Sequence, residues 1–203
     1  MKRSALLRTA SIARSESKPP KGPRMRKCKI CREPFVPRSM THKACSQRCA
    51  QDVAERERAA KERKADKARK DALKPRTRWI AEAQVAFNRF IRLRDQLAGH
   101  NCISSGRPLD WSGNAVDAGH FRSRGSAPHL RFDERNCHAQ SKQENRYASG
   151  NATDYRIGLI SRIGLAEVER LEADQTQRKW TIPELIAIRD EYRAKLKQLQ
   201  QGK

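Results

Sequence analysis

The sequence predicts an α+β protein in separate parts: a small zinc module, a charged helical arm, and a two-stranded core packed by amphipathic helices. Three observations carry that expectation. Cys28-x2-Cys31 and Cys45-x3-Cys49 are two close thiol pairs with thirteen residues between them. Residues 50–74 are rich in Ala, Glu, Lys and Arg and nearly devoid of large apolar side chains. Apolar residues recur at helical spacing from Trp79 to Leu97 and again near the C-terminus, on either side of a stretch with short β-like runs.

The totals bound the partners. A chain of 203 residues suits one or two domains. It carries 45 Lys+Arg against 23 Asp+Glu, a formal net charge of +22. With 36% hydrophobic and 5% aromatic residues, it cannot bury one core along its whole length. Such an excess of positive charge repels itself unless a polyanion neutralises it, and nucleic acid fits that role. An anionic membrane is the rival, but the basic stretches lack an opposing apolar face. No run approaches the ~18 apolar residues of a transmembrane span. The basic N-terminus lacks the apolar centre of a secretory signal, so the cysteines read as metal ligands and not as disulfides.

Taken in order, residues 1–24 mix Pro, Ser, Lys and Arg without a period and predict a flexible basic tail. Residues 25–50 form the zinc module. Cys28, Cys31, Cys45 and Cys49 fill a tetrahedral sphere, so the zinc is structural, and His42 is left over. Pro34 to Pro37 allow a short hairpin. Residues 51–76 form the arm, a solvated helix over 50–74 that Pro75 stops, with nothing packed tightly against it. Residues 77–150 open with a core helix over 77–98, with Thr77 as N-cap and Gly99 just past its end. Strands are expected at Ala115–Phe121 and His129–Phe132, and a helix over 137–148. Residues 151–203 are helical. Thr181-Ile182-Pro183-Glu184 reads as a capping box opening a last helix, which packs on the core helix or pairs with a second subunit.

Asp117, His120, Asn136, His138, Glu144 and Asn145 crowd into the window from Val116 to Asn145. These residue types bind divalent metals or move protons. The order strand, His, loop, strand, Asn, helix, Asn resembles the HNH (ββα-metal) nuclease motif. That resemblance implies that His120 is the general base, that Asn136 orients the loop and the imidazole, and that Asn145 ligates one Mg²⁺ or Mn²⁺ at the scissile phosphate. Arg122, Arg124, Arg131, Lys142 and Arg146 are the expected phosphate contacts. Two departures stand out. Gly119 precedes the histidine where many HNH proteins carry Asp or His. Asp117 is the expected first metal ligand, with His138 and Glu144 as alternatives, and needs a bulge at Ala118–Gly119 to face His120. Many HNH domains are also pinned by two Cys-x-x-Cys pairs. Here Cys102, Ser105, Ser141 and Glu144 stand at those positions, so a second zinc is not expected and packing by the Trp79–Leu97 helix must substitute.

A wider resemblance rests on A-G-H-F-R-S-R-G, R-F-D-E-R-N-C-H-A-Q and S-G-N-A-T-D-Y-R-I-G-L-I-S-R-I-G, downstream of the cysteine pairs and the charged helix. Nearly the whole chain resembles the NinG (Rap) family of lambdoid phages. The resemblance implies a recombination endonuclease that cuts branched DNA, such as Holliday junctions and D-loops, with Mg²⁺ or Mn²⁺. It further implies a homodimer in the cytoplasm of an infected bacterium. Composition and spacing alone stop at a basic zinc protein with an HNH-like window. The alternative is a non-catalytic, zinc-containing nucleic-acid-binding regulator, which would bind without cutting. A ribosome-associated basic protein, preferring RNA, is a further rival.

Overall fold

The computed structural model describes residues 25–148 and 150–202, so the basic tail expected over 1–24 lies outside the described residues. The chain mixes helix and sheet and divides into two units after Ala72.

In the first unit, β1 (Arg26–Lys27) pairs antiparallel with β2 (Pro34–Phe35). The hairpin therefore encloses the first cysteine pair instead of lying between the two pairs. Helix α1 (Gln47–Ala72) starts earlier than its composition suggests. Ser46 Oγ accepts the Cys49 amide at 3.3 Å, the bond of an N-cap, so the second cysteine pair is wound into the helix start. Cys28, Ala44 and Val53 form a small core with Ile30, Phe35 and Cys49 against it. The base of the arm is thus packed, contrary to expectation, because Val53 is its one large apolar side chain in reach. Glu57 pairs with Lys43 at 2.8 Å and draws the helix onto the module. Beyond that turn the arm is mostly exposed.

The second unit is built on α2 (Arg76–Leu97), which buries Trp79, Ala83, Phe87, Phe90 and Ile91. Pro75 precedes it in place of Thr77, with φ −68° and ψ 154°. Proline has no amide to satisfy, and its carbonyl accepts the Arg78 amide at 3.0 Å. Helix α5 (Ile182–Gln201) lies along α2, contributing Leu185 and Tyr192 to the same core. Its capping box forms as the sequence predicts, with Thr181 and Glu184 bonding each other's backbone amides.

Strand β3 (Val116–His120) pairs antiparallel with β4 (Cys137–Ser141), in register from Val116↔Ser141 to His120↔Cys137. The second strand therefore lies where the sequence predicts a helix. His129–Phe132 instead falls on a 3-10 turn, Pro128–Leu130, where proline fixes the bend. After β4 comes a short π-turn, Gln143–Tyr147. On one side, Ala118 and Cys137 join the α2–α5 core. From α3 (Ala152–Ile163), the Tyr155 hydroxyl donates to Gly119 O at 2.8 Å and accepts the His138 amide at 3.1 Å, bridging the two strands. Tyr155 and Leu159 form a second core with Val168 and Leu171 of α4 (Leu165–Ala173) and with Ile103 and Leu130. Among the described residues, no helix is long and apolar enough to cross a membrane.

The pairing runs unbroken through Ala118 and Gly119, so the expected bulge does not form. Its absence explains the glycine. A Cβ on Gly119 would stand 2.2 Å from Gln140 Oε1 and 3.0 Å from Gln140 Cβ. Gln140 cannot swing away freely: it is fully buried, and its Nε2 donates to Ser104 Oγ and Gly150 O, both at 2.7 Å. An acidic side chain directly before His120 has no room. Gly119→Ala is expected to destabilise the second unit by about 1–3 kcal/mol, the range for overpacking a filled core. Denaturant melts check this; a Gly119→Ala midpoint equal to wild type would refute the clash, and Gln140→Ala in the same chain should restore much of the loss.

Candidate active site and metal centre

The sulfurs of Cys28, Cys31, Cys45 and Cys49 all lie within 4.8 Å of one another, and the four could hold a metal ion such as zinc. Cys31 and Cys45 Sγ are 3.4 Å apart, and Cys45 and Cys49 Sγ are 3.8 Å apart. A disulfide needs about 2.05 Å. A tetrahedron with Zn–S bonds near 2.3 Å needs sulfurs roughly 3.8 Å apart, and the group fits that. The backbone amide of Ile30 holds the Cys28 thiol down to about 6, while the crowding Cys31 and Cys28 sulfurs push Cys45 up to about 12. A cation at the centre would relieve that crowding. His42 is not a ligand: its Nδ1 accepts the Arg38 amide at 3.0 Å and its ring meets Phe35 edge-on.

In the second unit an open cleft of about 470 Å³ runs over the edge of β3, lined by Asn88, Asp117, His120, Arg124, Asn145 and Arg146, among others. In a two-stranded ribbon β3 has one unpaired edge, so side chains from both faces can reach it. Asp117 and His120 share the cleft for this reason, without a bulge.

His120 ends β3 with its ring against Phe87, centroids 6.1 Å apart. Its Nε2 lies 3.0 Å from Arg131 O. A carbonyl only accepts, so Nε2 carries the proton and Nδ1 the lone pair, with the buried Cys137 Sγ 3.7 Å from Nδ1. Burial, reinforced by the Arg124 and Arg131 guanidiniums, lowers its pKa to about 4. The ring is neutral at pH 7. Asn136 is fully buried, and its side-chain hydrogen bonds go to backbone groups and not to the imidazole. Its Oδ1 accepts the Arg122 amide at 2.8 Å, and its Nδ2 donates to Arg122 O at 3.0 Å and Leu130 O at 3.1 Å. It staples the start of the loop to the turn whose next carbonyl, that of Arg131, holds His120.

Asp117 and Asn145 meet. Asn145 Nδ2 donates to Asp117 Oδ2 at 3.1 Å, and Arg146 Nε donates to the same oxygen at 2.8 Å. Burial alone would raise the Asp117 pKa, but these two partners outweigh it and hold the carboxyl below its ordinary value. The two alternative ligands are engaged elsewhere. His138 Nδ1 accepts from Arg94 at 3.1 Å, its Nε2 donates to Arg135 O at 3.2 Å, and Asp95 lies beside it. Glu144 Oε2 accepts the Cys102 thiol at 2.7 Å. That bond belongs to the pin positions. Ser141 N donates to Cys102 Sγ at 3.3 Å and Glu144 N to Ser141 Oγ at 3.3 Å, so hydrogen bonds hold together what a metal would. Ser105 stays local, accepting the Arg107 amide at 3.5 Å.

The basic residues divide. Arg124 and Arg146 line the cleft. Arg131 is spent on Gln84 and on Arg124 O. Arg122 turns away and donates to Leu171 O and Glu172 O at the end of α4. Lys142 bonds through its backbone, to Ala115 O, and bears on Asp117 only through its charge. Sequence reasoning missed Asn88, which lines the cleft from α2. A signal existed: Gln84 and Asn88 are polar residues four apart amid the apolar spacing of that helix, and they bond at 2.8 Å. It also missed Asp95, fully buried, which accepts the Ala139 amide at 2.6 Å and pairs with Arg94 at 2.7 Å. Nothing local marks Asp95, because Ala139 lies 44 residues away.

Comparison with known proteins gives the chain its kinship. The family model described as Bacteriophage Lambda NinG protein matches residues 20–202. Protein ninG of Salmonella phage P22 is 41% identical, over 88% of this chain and 95% of that protein. Protein ninG of Escherichia phage lambda is 40% identical, over 89% and 96%. No solved structure matches. With a family model spanning nearly its whole length and such relatives at high coverage, the chain belongs to the NinG family.

Proposed function

We propose that the chain is a metal-dependent DNA endonuclease of the HNH (ββα-metal) type that acts on branched recombination intermediates such as Holliday junctions and D-loops. One observation carries the reading. A neutral imidazole, with its Nε2 proton tied to Arg131 O, shares a cleft with a carboxylate–carboxamide pair. Nδ1 of His120 takes a proton from water. The resulting hydroxide attacks phosphorus, the P–O3′ bond breaks, and the departing 3′ oxygen takes a proton from solvent. Asp117 and Asn145 are the oxygen donors that would hold Mg²⁺ or Mn²⁺, the amide turning its oxygen inward. A bound cation would offset the charge on the leaving oxygen. Arg146, now paired with Asp117, would be released towards the phosphate, and Arg124 is placed to meet it. Two cuts across a four-way junction need two sites, which favours a homodimer. The setting proposed is the cytoplasm of an infected bacterium, since the relatives are bacteriophage proteins.

The Asp117–Arg146 pair favours a second reading, a non-catalytic zinc-containing regulator, since the carboxylate is already neutralised. The test is wild-type protein against linear, forked and four-way DNA, with and without Mg²⁺. Cleavage of the branched forms only, and only with metal, is expected; binding without cleavage in every metal would leave the regulator. The pH profile adds a sign. His120 acts unprotonated, so kcat/KM should fall only as pH drops towards about 4 and stay flat through neutrality. A bound phosphate favours imidazolium, so the acid limb of kcat should lie at higher pH than that of kcat/KM. Coincident limbs near 6.5 would contradict the buried base.

A further inference from the structure

At the other end of β3 lies a second groove, of about 360 Å³, lined by Arg89, Arg92 and Leu93 of α2, Trp111, Val116, and Leu196 of α5, among others. Its cations are uncommitted. Most arginines around the core sit in ion pairs: Arg94, Arg135, Arg146, Arg156 and Arg189 each hold a carboxylate. Arg89 and Arg92 have neither a hydrogen-bond nor a carboxylate partner among the described residues. Its aromatic ring is uncommitted too. Trp79 and Trp180 are buried, and each carries a cation over its ring. Trp111 is half-exposed, belongs to no core cluster, and has no ring or cation stacked on it among the described residues.

We propose that this groove seats an unpaired DNA strand, with phosphates on Arg89 and Arg92 and a base stacked on Trp111. The choice of DNA rests on the nuclease reading above. Free guanidiniums beside a spare indole are the parts of a single-strand site, because cations follow the backbone and every base offers a face to stack. The groove is also in reach. Val116 lines it and His120 lines the first cleft, at opposite ends of one strand about 13 Å apart. That is roughly four base steps of duplex. A strand lying over His120 would run into the groove, and a branch point is where bases come unpaired. The net charge of +22 suits a polyanion better than a second copy of this chain.

The test is fluorescence anisotropy of the full chain, without Mg²⁺, on labelled oligothymidylate and on blunt duplex. Trp111→Ala should weaken oligothymidylate binding about tenfold and leave duplex binding within about twofold, with Trp111→Phe restoring most of the loss. Arg89→Glu with Arg92→Glu should weaken oligothymidylate binding and flatten its salt dependence. Equal effects of Trp111→Ala on both probes, or none on oligothymidylate, would overturn the proposal. So would unchanged binding together with a shift from dimer to monomer in sedimentation, which would make the groove a contact between copies. A Trp111 effect in a protein that cuts nothing would sink the nuclease reading and uphold the groove; cleavage with no Trp111 effect would do the reverse.

Discussion

Replacing His120 by Ala is expected to slow cleavage of a four-way junction by about 10²–10⁴, the usual worth of a positioned general base. The junction should still bind. Three features make this the largest catalytic effect in the cleft. The ring is fixed before substrate arrives by the Arg131 carbonyl on Nε2, the Cys137 thiol beside Nδ1 and the face of Phe87. Burial keeps it unprotonated far below neutral pH. Among the described residues, no other histidine lines the cleft: His138 is locked between Arg94 and Arg135 O beneath the strands. His120→Gln separates geometry from chemistry. A carboxamide can still donate to Arg131 O but cannot accept the proton of water at neutral pH. Both variants should therefore lose cleavage, while only His120→Ala should lose some thermal stability through the void beside Phe87. Cleavage retained by either variant would remove His120 from the chemistry.

How much of the molecule is legible in the sequence depends on how local each interaction is. The α2 core, the capping box at Thr181 and the cysteine spacing are written in residues three to four apart or in thiol pairs, and each is found where spacing puts it. Strand β4 is hidden. Cys137, His138, Ala139 and Gln140 are all buried, so no polar–apolar alternation marks them, and their polar atoms are satisfied from afar. Asp95 reaches Ala139 across 44 positions, Tyr155 reaches His138 across 17, and Ser104 reaches Gln140 across 36. Gly119 is the same lesson at the candidate site: its reason is the Gln140 side chain on the facing strand. Asp117 and Asn145 stand out for their chemistry, but their meeting depends on an edge strand and a π-turn that no spacing rule contains.

Chelating the metal that the four-cysteine centre could hold is expected to unfold residues 25–46 and fray the start of α1, while leaving the second unit's melting unchanged. The first unit has almost nothing else to hold it. Its core is Cys28, Ala44 and Val53 with three partly buried neighbours, and its sheet is two residues long on each strand. Units with so small a core usually need disulfides, metal or oligomerisation to fold. All six cysteines are free, and the four of the first unit could hold a metal ion; a structural zinc there would supply an apparent ~10–16 kcal/mol near pH 7. The second unit has its own cores around Phe87 and Tyr155 and needs no ion to form them. Metal analysis should find about one zinc per chain. Chelation, or Cys28→Ser, should expose new protease sites before residue 47 and lower helix content by the first turns of α1 only. An unchanged digestion pattern after chelation would mean that hydrogen bonding and packing suffice there. Two zinc ions per chain would place the second at Cys102, where Glu144, Ser141 and one thiol now satisfy one another without it.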